Sequence, residues 1–323
     1  MIENASEMAG MIEKIGAELR RVVLGKDEVV EYVLTAILSR GHVLLEDVPG
    51  VGKTTLAMAF AKVLGLDSRR VQFTPDTMPS DIVGFSVYDP KTGGLQYKAG
   101  AIMTHLLLAD EINRTSAKTQ SALLEAMEES RVTVDGTTYA LPEPFVVLAT
   151  QNPVGSSGTQ MLPNSQLDRF MVKLSMGYPE AQEQIEILKS RHHENPLDKV
   201  VAVTDTESLG ALIAASERIY VSDPIYTYVT DLVEETRRHP LVQLGISPRG
   251  ALALCRAAKS RALIRGRDYV MPEDVRELFF VVCGHRLLLS SKARLHEQDE
   301  GSILHEIFTK VAMPVYKKDW SRA

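Results

Sequence analysis

Residues 42–55, HVLLEDVPGVGKTT, decide how the chain is read. The apolar Val43, Leu44 and Leu45 run into a turn made of Val48, Pro49, Gly50, Val51 and Gly52. The turn closes on Lys53, Thr54 and Thr55, and the helix-forming LAMAFAKVLG comes next. That order is strand, loop, helix. Gly50 and Gly52 carry no Cβ, so the backbone N–H groups of such a loop can turn inward on a phosphate. Lys53 then reaches the β- and γ-phosphates, and the Thr54 hydroxyl binds Mg²⁺. The helix adds the positive end of its dipole. One departure stands against the general pattern G-x-x-x-x-G-K-[ST], which asks for glycine where this chain has Asp47. Taken alone, the fragment also fits a Gly-rich turn with a surface lysine, so the rest of the chain has to decide.

At 323 residues the chain exceeds one ordinary core, and roughly 100 to 200 residues per domain implies two domains. Hydrophobic residues at 45% and charged residues at 24% belong to a globular protein. No apolar run approaches the roughly 18 residues of a membrane span. The opening MIENASEMAG carries acids where a signal peptide carries bases. A cytoplasmic location is the resulting expectation. The two cysteines, Cys255 and Cys283, cannot build a disulfide framework or a metal cluster, and their apolar helical settings predict core thiols. A formal net charge of −6 argues against a dominant grip on nucleic-acid backbone.

Outward from the loop, residues 5–20 place Met8, Met11, Ile12, Ile15 and Leu19 at helical spacing. Val22, Val23, Leu24 and Gly25 lead into a second helix, DEVVEYVLTAILSR, ended by Gly41. A strand is expected at Arg70–Phe73, then an inserted loop or hairpin over residues 74–103, which mix Pro, Gly and Asp with FSVY and LQYK. HLLLADEINR reads as a strand buried on both faces with Asp110 and Glu111 at its exit. In an NTPase these acids divide the work: Asp110 holds Mg²⁺ through water and Glu111 takes a proton from the attacking water. Solvated acids capping a strand are the alternative reading of that stretch.

A helix over SAKTQSALLEAMEES and a hairpin RVTVDGTTYAL turning at Asp135-Gly136 come next. The buried strand FVVLAT then ends at Gln151, Asn152 and Pro153. Asn152 thus exits beside the paired acids, where open α/β sheets gather their ligands, and can orient the attacking water. FMVKLSM is the last strand of this part. From Pro179 onward helices dominate. His192 and His193 are adjacent on a helix and point to different faces, which disfavours a metal site. Arg256, Lys259, Arg261, Arg265 and Arg267 read as a solvated or intersubunit face.

Taken together, VPGVGKTT, LLLADEINR, LATQNP, QLDRF and ISPRG, in this order over residues 46–250, resemble the MoxR family of AAA+ ATPases. The resemblance covers nearly the whole chain and includes the DVPGVGKT form of the loop, so Asp47 costs it little. QFTPDTMPSDIVG and the segment after it resemble the helix-2 insert shared with magnesium-chelatase ATPase subunits. The implied fold is an α/β P-loop NTPase core whose parallel sheet is flanked by helices, followed by a smaller all-α lid. Residues 1–178 form the core, with its insert at about 74–103, and residues 179–323 form the lid with a C-terminal extension.

The resemblance implies ATP and Mg²⁺ as cofactors. It places Lys53 and Thr54 in Walker A, with Val48 to Thr55 and Gly25 as nucleotide contacts, and Asp110 and Glu111 in Walker B. Asn152 falls at sensor 1, Arg169 at the arginine finger, and Arg249 at sensor 2, where the lid closes it onto the γ-phosphate. Arg169 also has an alternative, as a partner of Asp168. The implied function is a chaperone-like ATPase that remodels or matures proteins and sometimes aids metal or cofactor insertion. It is expected to work as a homo-oligomer, a hexameric ring, with von Willebrand factor A domain proteins and protein clients as partners. A chelatase-type or nucleic-acid motor and a nucleotide-gated scaffold are the competing readings. Net acidity and the lack of an added DNA-binding module weigh against nucleic acid, and the paired acids weigh against a scaffold.

Overall fold

The structure is a computed structural model that describes residues 5–152, 162–191 and 195–315. Helices α1 (Ala5–Arg20) and α2 (Asp27–Leu38) precede β1 (Val43–Glu46), and α3 (Lys53–Val63) follows the loop. β2 (Ser68–Gln72) is succeeded by the short α4 (Pro79–Val83) and a hairpin of β3 (Gly84–Asp89) and β4 (Gly94–Ala99). Then come β5 (Leu106–Asp110), α5 (Ala117–Glu129), a second hairpin of β6 (Arg131–Val134) and β7 (Thr137–Ala140), β8 (Val146–Gln151), α6 (Asn164–Leu167) and β9 (Val172–Leu174). The rest comprises α7 (Ala181–Arg191), α8 (Thr206–Glu217), α9 (Asp223–Arg238), β10 (Val242–Leu244), α10 (Pro248–Ile264), α11 (Pro272–Cys283), β11 (Leu288–Leu289), α12 (Ser291–Leu295) and α13 (Glu300–Lys310).

A 5-stranded sheet in the order β2-β5-β8-β1-β9 is parallel throughout. Strands of a parallel sheet are covered on both faces, which is why β5 and β8 are buried at every position. Successive side chains alternate between two cores. Val43, Leu45, Leu106, Leu108, Val146 and Leu148 pack with α1, α2 and α3 on one side, while Leu44, Leu107, Ala109, Val147 and Ala149 pack with α5 on the other. Because all strands run the same way, β1, β5 and β8 deliver their carboxyl ends to one edge.

The stretch 74–103 folds as one short helix and an antiparallel hairpin, Gly84 pairing with Ala99 and Asp89 with Gly94. Among the described residues after Pro179 helices dominate, beside one antiparallel pair, β10 with β11, and a bridge between Tyr220 and Tyr269. The helical spacing of apolar residues in PEDVRELFFVVCGHRLLL, residues 272–289, predicts one helix, but the helix stops at Cys283 and gives way to a 3₁₀ turn at Gly284–Arg286. There Arg286 turns into the protein interior, with 3% of its side chain exposed.

Helix α2, expected to belong with the core, also packs on the later helices. Ser39 Oγ shares a hydrogen bond of 2.7 Å with Ser260 Oγ, and Glu31 pairs with both Arg261 (2.9 Å) and Arg265 (3.1 Å). Four of the five residues of the basic run are therefore engaged within the chain, while Arg256 is exposed. Arg261 and Arg265 are engaged by Glu31 and Glu277, Arg267 forms a two-pronged pair with Asp274, and Lys259 donates to the Glu217 carbonyl. Buried Cys283 is a core thiol whose pKa burial pushes up to about 12, while Cys255 is half-buried at the core's margin. His192 and His193 lie outside the described residues. Among the described residues there is no cluster with the makings of a metal site and no helix long and apolar enough to cross a membrane.

Candidate functional site

Between β1 and α3 the chain reverses through Gly50 (φ 90°) and Gly52 (φ 98°), left-handed conformations that L side chains rarely adopt. A Cβ on Gly50 would meet no heavy atom within 4 Å, so open space faces the loop. The loop borders a cavity of about 680 Å³ lined by Pro49 to Thr55, Arg70, Gln72, Asp110, Glu111 and Asn152, and by Leu24, Met176 and Tyr178. That size and composition suit a nucleotide. Lys53 Nζ donates to the carbonyls of Asp47 (2.6 Å) and Val48 (3.2 Å). Burial lowers its pKa, opposed by the nearby carboxylates of Asp47, Asp110 and Glu111.

Asp47, which breaks the general loop pattern, has a structural task. Its Oδ2 accepts from the N–H groups of Met176 (2.6 Å) and Gly177 (2.8 Å) and from Ser175 Oγ (3.1 Å), and its Oδ1 accepts from Val48 N–H (3.0 Å). A carboxylate with these donors ties the start of the loop to the segment that leaves β9. Glycine offers no such acceptor.

The register pairs Ala109 with Ala149, which brings Asp110 level with Thr150. Thr150 Oγ1 donates to Asp110 Oδ1 (2.5 Å) and accepts from Glu111 N–H (2.9 Å). Glu111 takes a left-handed backbone, φ 58° and ψ 47°, a conformation that costs of order 1 kcal/mol or more and clusters at functional sites. Its carboxylate accepts from Arg114 Nη1 (2.7 Å) and Asn152 Nδ2 (3.2 Å). Asn152 is clamped in turn by Asn113, whose amide donates to the Asn152 carbonyl (3.1 Å) and accepts from the Asn152 N–H (3.4 Å). On the other side of Asp110, Arg70 from β2 pairs with Oδ2 at 2.7 Å.

The cleft thus unites Pro49 to Thr55, Asp110, Glu111 and Asn152, as the sequence predicts. Two expected nucleotide contacts differ. Gly25 does not line the cavity although Leu24 and Lys26 do, because it lies against Glu183, whose carboxylate a Cβ at this position would meet at 1.8 Å. Val48 serves through its carbonyl, to Lys53, rather than as a wall.

Arg249 and Arg169 are the larger departure. Neither lines the cavity. They meet on Glu128 near the end of α5: Arg169 Nη1 is 3.4 Å from Oε2, and Arg249 Nη2 bonds Oε1. Arg249, expected to close onto a γ-phosphate with the lid, is held on Glu128 in this structure. α10 is anchored there by its N-cap, since Ser247 Oγ donates to Asp168 (3.3 Å) in the QLDRF turn. Nor is Arg169 the partner of Asp168, because Arg286 holds that role at 2.8 Å.

Four residues of the site escape a reading of the sequence: Arg70, Asn113, Arg114 and Thr150. Asn113 and Arg114 stand inside the quoted DEINR, but their roles depend on a 3₁₀ turn after Glu111. Arg70 and Thr150 need the strand order and register, which no local pattern carries.

Comparison with known proteins agrees with this geometry. Residues 42–172 match the model of the ATPase family associated with various cellular activities (AAA), and residues 234–307 match the AAA lid domain. A crystal structure from Cytophaga hutchinsonii, an ATPase by assignment, superposes with a TM-score of 0.89 at 35% identity, covering 96% of this chain and 97% of that one. The chain is 46% identical over 307 residues to protein YeaC of Bacillus subtilis (strain 168), spanning 95% of this chain and 96% of that protein. It is 40% identical over 312 residues to chaperone MoxR1 of Mycobacterium tuberculosis, spanning 94% and 82%. A protein MoxR of Methylorubrum extorquens is 32% identical over 322 residues, spanning 92% and 93%. With a Walker-type cleft at the carboxyl edge of a parallel sheet, an AAA lid and relatives aligned over most of their length, the chain belongs to the MoxR family of AAA+ ATPases.

Proposed function

We propose that the chain binds ATP with Mg²⁺ and hydrolyses it to remodel or mature protein partners. The observation that carries this is the convergence of Lys53, Thr54, Asp110, Glu111 and Asn152 in one cleft, with Glu111 already turned by Arg114 and Asn152. Bound Mg²⁺ would neutralise charge developing on the phosphates. Lys53 and the N–H groups of the loop hold the β- and γ-phosphates, while Thr54 and Asp110 are the residues fitted to hold the metal. Glu111 takes the proton of the attacking water on the oxygen that faces Asn152, while Arg114 retains the other oxygen and fixes the carboxylate's plane. The Asn152 amide aims the water.

Arg169 and Arg249 stand outside their own cleft, and this supports a homo-oligomer, a hexameric ring by family resemblance, in which the pair reaches a neighbour's γ-phosphate. A contact in which each subunit offers its arginines to the next is head-to-tail, and such contacts close into rings when the rotation allows. The reading includes a cytoplasmic location, protein clients, von Willebrand factor A domain partners and, through them, a role in metal or cofactor insertion. The internal ion pairs of the basic run disfavour a nucleic-acid motor. A trap tests the proposal. Glu111→Gln should bind ATP, hydrolyse it at least about 100-fold more slowly, and retain protein partners in a pull-down that the parent loses on turnover. Hydrolysis at the parental rate would remove Glu111 from the role of base.

A further inference from the structure

Two arginines at the QLDRF turn are used in opposite ways. Arg286 is fully committed. Nε donates to Asp168 Oδ1 (2.8 Å), Nη1 to the carbonyls of Met171 (3.2 Å) and Val282, and Nη2 to those of Phe170 (2.7 Å) and Asp168 (3.3 Å). A guanidinium has five N–H donors, and all are used within the chain. Arg169 is the reverse: among the described residues its Nε is buried without a partner and its Nη1 has the 3.4 Å approach to Glu128. The turn is therefore folded around Arg286 as a template, while the adjacent guanidinium keeps donors in reserve.

Asp168 links the two arrangements. Oδ1 takes Arg286, and Oδ2 takes Ser247, the N-cap of the helix whose second residue is Arg249. Arg169 is the next residue after Asp168, and both cationic side chains end on Glu128. A closed circuit results, running from Asp168 through Ser247 to Arg249, across Glu128 to Arg169, and back along the backbone. Glu128 lies between the two like charges, and Asp168 bonds the N-cap from which Arg249 starts and directly precedes Arg169.

We infer that Asp168 is a positioning residue that sets Arg169 and Arg249 as one rigid pair for the site of a neighbouring subunit. This rests on the proposed action of these arginines in trans. Because Asp168 belongs to the core while Ser247 and Arg286 belong to the lid, the pair is presented only when the two parts are docked. A lid movement in one subunit would change catalysis in the next.

The experiment uses the full chain in mixtures of variants. Asp168→Asn should keep nucleotide affinity and lose about 10- to 100-fold in turnover, the scale of a misplaced catalytic group. Lys53→Ala subunits lack a working loop but carry an intact pair. Adding them to Asp168→Asn subunits should restore activity, as it should for Arg169→Ala, because each defect lies on the opposite side of the interface. The double variant Asp168→Asn with Arg169→Ala should be no slower than Arg169→Ala alone. If Arg169→Ala is rescued by the mixture and Asp168→Asn is not, or if Asp168→Asn turns over at the parental rate, the inference falls. If neither variant is rescued although mixed oligomers form, the trans reading itself has failed. Should Asp168→Asn not fold, Ser247→Ala removes the bond to Asp168 together with the N-cap bond from Gly250 N–H and enters the same mixtures, with a several-fold loss and rescue expected. A Ser247→Ala defect that Lys53→Ala subunits leave unrescued would overturn the inference equally.

Discussion

Asp47 shows how one side chain can break a motif and strengthen the site. A general P-loop takes glycine there, whereas here the carboxylate accepts two backbone N–H groups beyond β9, those of Met176 and Gly177, besides Val48 N–H in the loop itself. Removing an acceptor leaves buried donors unpaired, at about 1–3 kcal/mol for each group that solvent does not reach. Asp47→Ala should therefore lower unfolding free energy by about 1–3 kcal/mol in urea and weaken nucleotide binding in a titration, since the loop loses its tether. Unchanged stability and affinity would mean that the tether carries no strain. Thr150 makes the same point for the cleft, because its hydroxyl fixes both the Asp110 carboxylate and the Glu111 backbone, the proposed metal ligand and base.

At the scale of elements, β1 is pinned by the residue before it. His42 is wholly buried between α5 and β8: Nδ1 accepts the Val147 N–H (3.0 Å), so Nε2 carries the proton and donates to the Met127 carbonyl (3.1 Å). Burial drives its pKa down from 6.5 to about 4. The folded pKa is depressed, so the unfolded chain binds the extra proton between these values. The resulting stabilisation is complete above pH 6.5 and is lost as pH falls toward 4. Between pH 8 and pH 5 the imidazole should cost the fold about 2 kcal/mol. Urea titrations at both values should show the His42→Phe protein losing about 2 kcal/mol less than the parent over that interval. Equal losses would show that His42 does not charge on unfolding.

Across the whole molecule, the core and the later helices are joined at more than the chain connection. On one side Arg261, with 5% of its side chain exposed, receives Glu31 from α2 and Glu277 from α11. On the other, Arg286 receives the QLDRF turn. The carboxylates around Arg261 are partly solvated, which limits the ion pair to about 1–3 kcal/mol, below the value of a fully buried pair. Arg261→Met should lower stability by that amount and broaden or split the calorimetric transition as α2 lets go of α10. A single transition as sharp as the parent's would show that the docking rests on apolar packing alone. Asp47 and Asp168 fit this larger scheme: one anion ties the loop to the exit of β9, and the other ties the arginine pair to the lid.

Local chemistry made much of this legible beforehand. Apolar runs ending in Asp110-Glu111 and in Gln151-Asn152 announced buried parallel strands, and Gly50-Val51-Gly52-Lys53 announced the loop, because side-chain period and glycine conformations act over a few residues. The strands and the cleft came from them. Features that depend on distant segments could not be read that way. Arg70 reaches Asp110 only through the pairing of β2 with β5. Asp47 acquires its purpose from residues 175–177. Arg261 and Arg265 of the basic run meet Glu31 only once α2 docks on α10. Arg169 and Arg249 carry family expectations in the sequence, but their convergence on Glu128, away from their own cleft, is set by how the lid docks on the QLDRF turn. Spacing along a chain determines which face a residue occupies, whereas the partner it meets there is decided by packing between segments that sequence order does not bring together.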